Sequence, residues 1–148
     1  MADLARAAEK IGRPLPEAAR HAAGTPYSAF WVAPEMWFVE APFATHEGIA
    51  AILKSALGDA ASVAEQTDAW VALDLAAPEI APILEHLCNV DLRAATDGFA
   101  KRTVIEHLGC HIVRRGPRTS GFTARDPRPK ASSTPLRRLQ LRPSEAGA

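Results

Sequence analysis

The spacing of apolar residues predicts a short N-terminal helix followed by an extended segment. Leu4, Ala8 and Ile11 recur at helical spacing with charged residues between them, so we expect a short amphipathic helix or a frayed arm. Residues 12–16 contain two prolines, which cannot continue a helix because proline lacks the backbone donor. The chain from there to about Pro26 is therefore predicted to be an extended linker.

Two apolar, aromatic-rich runs of strand length follow the linker. They cover residues 28–32 and 36–40, and residues 33–35 between them have the composition of a turn. We predict a β-hairpin with a buried aromatic cluster. Trp31 and Trp37 are interpreted as core residues rather than as a platform on which a ligand stacks.

The next segment has the features of a helix over residues 45–57. Thr45 is placed to cap its start and Gly58 to end it. Between these two residues runs one apolar stripe, made of Ile49, Ile52, Leu53, Ala56 and Leu57.

The remaining elements complete an order of paired strands and single helices, β-β-α-β-β-α-β-β. They are an apolar run at 60–65, an alternating strand at 71–75, a helix starting at Pro78, and strands at 103–107 and 111–115 joined by a turn at 108–110. Because strands come in adjacent pairs, the order predicts an α+β fold: a mostly antiparallel sheet with helices packed on one face.

Charge and composition change together near residue 116. Residues 1–117 hold 10 Lys/Arg and 15 Asp/Glu, whereas residues 118–148 hold 7 and 2. The basic segment is rich in proline, arginine and serine, and we expect it to be disordered because it has little apolar surface to bury. The predicted organisation is an N-terminal arm and linker over 1–26, one domain over 27–115, and a tail over 116–148.

Composition limits the compartment and the class of protein. The length of 148 residues suits one domain, and no run of about 18 apolar residues is present to cross a membrane. The N-terminus lacks the apolar centre of a signal peptide, so we expect a cytoplasmic protein. Cys88 and Cys110 are then expected to be free thiols. A metal site formed with His86 and His111 is disfavoured, because the spacing of zinc ligands is missing.

No catalytic motif accompanies these elements. The nucleophile elbow, the phosphate-binding loop, the dinucleotide fingerprint and the zinc-protease motif are all missing from the sequence. Asp68, Asp74 and Asp91 lie near predicted strand ends and are interpreted as surface turn residues. His107 and His111 lie four apart, but strands do not bring such a pair together. We therefore predict no catalytic, cofactor-binding or metal-binding residue in this chain, and favour an interaction domain.

Three segments together resemble the gamma subunit of heterotetrameric sarcosine oxidase. The first is the Arg-Pro-Leu-Pro start at 13–16 with the Trp-Val-Ala-Pro-Glu-Met-Trp run at 31–37. The second is the turn and strand at 61–71. The third joins residues 84–92 to residues 98–108. The resemblance covers about residues 11–115, and it depends on the order and spacing of the segments rather than on one motif.

The resemblance implies a role in a complex. In that family, alpha, beta, gamma and delta subunits together convert sarcosine to glycine and hydrogen peroxide. The methyl carbon leaves as formaldehyde or as methylenetetrahydrofolate. FAD, FMN, NAD and tetrahydrofolate are bound by the partner subunits, and the gamma subunit is similar in fold to the folate-binding domain of the glycine cleavage T-protein. The implied role is a non-catalytic subunit of a complex with the alpha, beta and delta subunits.

The tail departs from the resemblance and leaves other interpretations open. Family members continue after the strand at 111–115 with another strand and a helix, often with a Gly-Pro-Arg-Ser segment. A shifted reading of the codons for residues 123–127 can encode those four residues. We therefore hypothesise that 116–148 are the family C-terminus read in another frame, which the coding DNA tests. The alternative functions are a stand-alone folate-binding one-carbon protein and an adaptor that binds through the basic tail.

Overall fold

The chain forms two antiparallel sheets that pack face to face, with helices on their outer surfaces. The computed structural model describes residues 2–9, 12, 14–78, 80–116, 119–125 and 136–143. In chain order the helices are α1 (Ala2–Glu9), α2 (Ile49–Leu57) and α3 (Ile80–Glu85), with short 3₁₀ turns at Phe43–Thr45 and Gly58–Ala60. The strands are β1 (His21–Ala22), β2 (Ser28–Ala33), β3 (Met36–Pro42), β4 (Ala61–Glu65), β5 (Trp70–Ala76), β6 (Ala100–Ile105), β7 (Leu108–Gly116), β8 (Thr119–Arg125) and β9 (Leu136–Pro143).

The strands divide between two sheets. The first sheet has the order β1-β2-β3-β9-β4 and the second has the order β5-β8-β7-β6. Every strand pairing among the described residues is antiparallel, so the predicted α+β class with antiparallel strands is confirmed. The prediction of one sheet with helices on one face is wrong. The alternation of residues along a strand shows which side chains share a face, but not which strand pairs share a sheet.

The outer face of the first sheet packs against α1 and α2. The predicted hairpin is confirmed, with Trp31 opposite Trp37 and Phe30 opposite Phe38. Alternate residues of β3 point outward with Trp37. The buried apolar residues between this face and the two helices form one cluster, which consists of Leu4, Ala29, Trp37, Val39, Ala41, Ile49, Leu53, Leu57 and Ala61. The stripe predicted for α2 therefore meets the sheet through its buried positions.

Aromatic rings fill the space between the two sheets. Phe38 of β3 lies edge-on to Phe30 and to Trp70 of β5, with ring centroids 5.3 Å apart in both pairs. His111 of β7 is buried among the same rings, 5.4 Å from Trp70. Val113 joins the cluster from β7. Through these contacts, the inter-sheet layer joins β2 and β3 of the first sheet to β5 and β7 of the second.

The outer face of the second sheet is covered by α3 and by the segment that follows it. Ile80, Leu84, Val90 and Leu92 form a buried cluster around Ile112 of β7. The predicted helix after Pro78 is thus confirmed, with Ile80 and Leu84 buried on the sheet, whereas Ile83 and Leu87 are exposed.

The guanidinium of Arg114 holds the 86–99 segment against this face. Its Nη1 donates to the carbonyl oxygens of Leu92 and Ala95, each at 2.6 Å. The same segment meets the N-terminal chain at Gly98, whose carbonyl accepts from the His21 backbone N–H at 2.7 Å. Gly98 has a φ of +78°, and a Cβ there would lie 3.2 Å from the His21 carbonyl oxygen. Both the positive φ and the close approach of the His21 carbonyl oxygen therefore favour glycine at this position.

Two predicted boundaries are wrong for local reasons. The α2 helix starts at Ile49 after Gly48, and Thr45 does not cap it, since its Oγ1 lies 2.8 Å from His46 Nδ1. Gly58 ends the helix as predicted, with a φ of +57°. The turn between β6 and β7 lies at residues 106–107 instead of 108–110, and both of its residues have positive φ. Such turns usually contain Asn-Gly or Asp-Gly, so Glu-His gave no signal.

The basic segment contributes a central strand to each sheet. Strand β8 lies between β5 and β7, and β9 lies between β3 and β4. The prediction of disorder is wrong for these two strands; residues 117–118, 126–135 and 144–148 lie outside the described residues. Composition averaged over the segment concealed the strands, because a strand flanked on both sides gains backbone hydrogen bonds whatever its side chains. The boundaries between arm, domain and tail stay a prediction.

Candidate functional site

The aspartates and histidines singled out from the sequence lie in separate places. Asp74 lies within β5 rather than in a turn, near Arg115. Asp68 is in the turn between β4 and β5. Asp91 accepts from the backbone N–H groups of Arg93 and Ala94, at 3.1 and 3.0 Å, so it shapes a turn. His107 lies in the β6–β7 turn, whereas His111 is buried between the sheets. The structure does not gather them into one catalytic arrangement.

The two cysteines lie close together on the outer side of the second sheet. Cys110 is 1% exposed, and the Cys88 thiol donates to the Leu84 carbonyl at 3.3 Å. Both are free thiols. Burial, together with the neighbouring Cys88, raises the pKa of the Cys110 thiol to about 11. Among the described residues, no three His, Cys, Asp or Glu side chains form a group that could hold a metal ion.

We expect the two thiols to differ sharply in reactivity. At pH 8, a disulfide reagent should modify Cys88 in the native protein, because that thiol is only partly buried, and should modify Cys110 only after unfolding. Unfolding releases the Cys110 thiol to its ordinary pKa near 9, so the native state should lose stability as pH rises from about 9 to about 11. The measurement is thiol titration of the wild type beside Cys88→Ser. Fast labelling of Cys110 in native Cys88→Ser would contradict the described burial.

A group of charged side chains lies at the edge of the inter-sheet layer. Glu40 is 1% exposed, and its Oε2 accepts from Arg115 Nη2 at 2.9 Å and from Ser28 Oγ at 3.4 Å. Arg115 Nε lies 3.7 Å from Asp74 Oδ1. We call these residues, with His21, the Glu40 cluster.

The Glu40 cluster joins strands from both sheets. Arg115 Nη1 lies 3.3 Å from His21 Nε2, and since a guanidinium only donates, this nitrogen of His21 accepts. Glu40 is on β3 and Arg115 is on β7, so their ion pair crosses between the sheets. A buried carboxylate requires such a partner, so the arrangement serves a structural purpose. The sequence pattern does not reveal this ion pair, although Glu40 follows Phe38 by two residues and therefore shares its inward face.

The second feature is an apolar cavity beneath the N-terminal segment. Its volume is about 380 Å³, and its walls include Leu4 of α1, Leu15, Trp31 and Trp37. Trp37 Nε1 donates to the Pro16 carbonyl oxygen at 2.8 Å, in a buried hydrogen bond. The core interpretation is confirmed for Trp37, while Trp31 is partly buried at the cavity wall. The linker thus docks on the hairpin through a specific hydrogen bond rather than by apolar contact alone.

The comparisons with known families and curated proteins identify no relative of this chain. No family model matches the chain, and a search of curated proteins finds no match. In the described part of the chain, no helix combines the length and apolarity needed to cross a bilayer.

Proposed function

We propose that this chain is the non-catalytic gamma subunit of a heterotetrameric sarcosine oxidase. Its partners are the alpha, beta and delta subunits, which bind FAD, FMN, NAD and tetrahydrofolate, and the complex acts in the cytoplasm. The fold is related in this proposal to the folate-binding domain of the glycine cleavage T-protein. The observation that carries the proposal is the hydrogen bond from Trp37 Nε1 to the Pro16 carbonyl, at 2.8 Å.

That hydrogen bond matters because it joins two parts of the resemblance that are apart in the sequence. The Arg-Pro-Leu-Pro start ends at Pro16, and the Trp-Val-Ala-Pro-Glu-Met-Trp run ends at Trp37. Residues Pro14 and Trp31 of the same two segments line one cavity with them. The first resembling segment therefore corresponds to one structural unit, as expected of a pattern maintained by folding.

The third resembling segment is likewise made of structural positions. Leu84, Val90 and Leu92 are buried around Ile112, and Gly98 joins the N-terminal chain to the second sheet. Several residues of this segment thus lie in the core and at a tight turn, while others line a groove beside β6. This distribution supports a subunit that stabilises or completes a larger enzyme rather than one that performs the chemistry.

The activity test compares partner subunits with and without this chain. The alpha, beta and delta subunits are co-expressed, and hydrogen peroxide release is measured with sarcosine as substrate. We expect the isolated chain to release none, and the four-subunit preparation to release more per flavin than the three-subunit preparation. Equal release per flavin by the two preparations, with this chain absent from the purified complex, would refute the proposal. Tight tetrahydrofolate binding by the isolated chain would instead favour the stand-alone folate-binding alternative.

A further inference from the structure

The outer edge of β6 carries backbone groups that point away from its sheet. Strand β6 is the last strand of the second sheet and pairs only with β7 among the described residues. Ile105 pairs with Leu108 across the two-residue turn, so this pair exchanges backbone hydrogen bonds. Antiparallel ladders alternate, so Thr103 also bonds to β7 whereas Arg102 and Val104 direct their N–H and C=O groups outward.

The start of the same edge shows which direction is outward. The Ala100 N–H, two residues before Arg102, donates to the Ala19 carbonyl oxygen at 2.9 Å, away from β7. The N-terminal chain thus covers the edge only at its beginning. At Arg102 and Val104, no backbone hydrogen bond from a described residue covers the outward groups. Proteins normally protect such an edge, since it is a template for a further strand.

A groove runs beside this open edge. It has a volume of about 580 Å³ and lies between β6 and the segment after α3, with Leu87, Asn89, Thr103 and Val104 in its lining. Leu87 is 42% exposed and Val104 is 59% exposed. The groove therefore lies between an open strand edge and the turn that follows α3, and an exposed sheet edge is a place where proteins bind extended peptides by adding a strand.

The charges at the edge indicate what kind of segment fits. Lys101 and Arg102 are both exposed at the N-terminal part of β6. In antiparallel pairing, the C-terminal end of an added strand lies beside them. Acidic side chains there would be attracted to the two cations, and apolar side chains further back would cover Val104 and Leu87.

We propose that the β6 edge binds an extended segment of a partner protein as an additional antiparallel strand. The segment has apolar residues opposite Val104 and acidic residues at its C-terminal end, near Lys101 and Arg102. That the partner is a subunit of sarcosine oxidase rests on the proposed function, whereas the binding edge does not.

The test uses the full-length chain and two variants at one position. Val104→Pro removes the outward N–H and leaves the hydrogen bonds to β7 in place, while Val104→Thr keeps the N–H and the branched shape. The probe is a fluorescein-labelled peptide of three Val-Thr repeats followed by two aspartates, and its binding is followed by fluorescence anisotropy. We expect Val104→Pro to weaken binding about tenfold and Val104→Thr to change it far less. If Val104→Pro does not fold, the double variant Lys101→Glu/Arg102→Glu replaces it, with Arg6→Glu on α1 as the charge control.

The same variants are then co-expressed with the alpha, beta and delta subunits. Loss of assembly by Val104→Pro but not by Val104→Thr supports the proposal. If both variants assemble equally well, or bind the peptide equally well, the proposal that the β6 edge binds a partner strand is refuted, and the proposed function is unaffected. If the wild type binds the peptide but does not assemble with the three subunits, the proposed function is refuted and binding at the β6 edge is supported. If the wild type neither binds the peptide nor assembles, both proposals are refuted. A wild-type dimer that Val104→Pro converts to a monomer shows that a second copy of this chain occupies the edge, which also overturns the proposal.

Discussion

Replacing Arg115 with methionine is expected to lower the unfolding free energy by about 3 kcal/mol. The carboxylate of Glu40 is 1% exposed, and Arg115 is the cation that contacts it across the two sheets at 2.9 Å. Methionine retains the apolar stem but removes the charge, so the buried carboxylate loses the guanidinium that contacts it from β7. Asp74, the other carboxylate near Arg115, is half-exposed and is solvated by water after the change.

Urea denaturation at pH 7 measures this loss, and a double variant provides the control. Glu40→Met/Arg115→Met removes both charges together, and we expect it to be more stable than Arg115→Met alone, because no buried carboxylate is left without its Arg115 ion pair. If the double variant is as unstable as the sum of the two single variants, the ion pair does not couple the sheets. A single variant as stable as the wild type would also contradict the described contact.

Replacing Phe38 with alanine is expected to cost about 4 kcal/mol of unfolding free energy. The ring is 1% exposed and contacts Phe30, Trp70 and His111, which come from three different strands. Removing it leaves a cavity where the two sheets meet, and the flanking strands relax only in part. Because domain stability is commonly 5–15 kcal/mol, a loss of this size is readily measured and approaches complete unfolding.

Leu73→Ala is the matched control for Phe38→Ala. Leu73 lies on β5 but faces away from the inter-sheet layer and is 53% exposed, so its truncation should change stability by less than about 1 kcal/mol. Both variants are compared by urea denaturation with tryptophan fluorescence, to which Trp31, Trp37 and Trp70 all contribute. Equal effects at the two positions would mean that the second sheet does not pack on the first in the described register.

Local pattern was sufficient to predict several elements. The hairpin at 28–40 has two aromatic runs and a proline-containing turn, and it forms with the predicted strands. The helix before Gly58 and the helix after Pro78 form as well, and each buries part of its apolar stripe, Leu53 and Leu57 in the first and Ile80 and Leu84 in the second. The turn between β6 and β7 was predicted at the wrong residues, because Glu106 and His107 are not residue types typical of a turn with positive φ.

The division into two sheets was beyond local pattern. Strand β9 pairs with β3, which lies about 100 residues earlier in the chain, and with β4, which lies about 80 residues earlier. Such pairings depend on which long-range contacts the whole chain satisfies together, and one sequence does not display them. The same limit applies to the cavity, where Pro16 meets Trp37 across 21 residues.

One feature of the Glu40 cluster was predictable from the sequence, namely the inward direction of its charged side chains. A charged residue at the inward position of an apolar strand needs a partner, and Arg115 stands in the same relation to Val113 of β7. Pairing the two would have required knowing that β3 and β7 face each other. The inward direction of each residue was thus predictable, whereas the partnership was not.

Native mass spectrometry of the co-expressed complex is the most direct test of the central claim, that this chain is a subunit of sarcosine oxidase. The chain is co-expressed with the alpha, beta and delta subunits and purified through a tag on the alpha subunit. We predict one dominant species whose mass equals one copy of each of the four chains, and which oxidises sarcosine. A stable complex of the other three subunits with this chain absent, although folded and present in the lysate, would contradict the account.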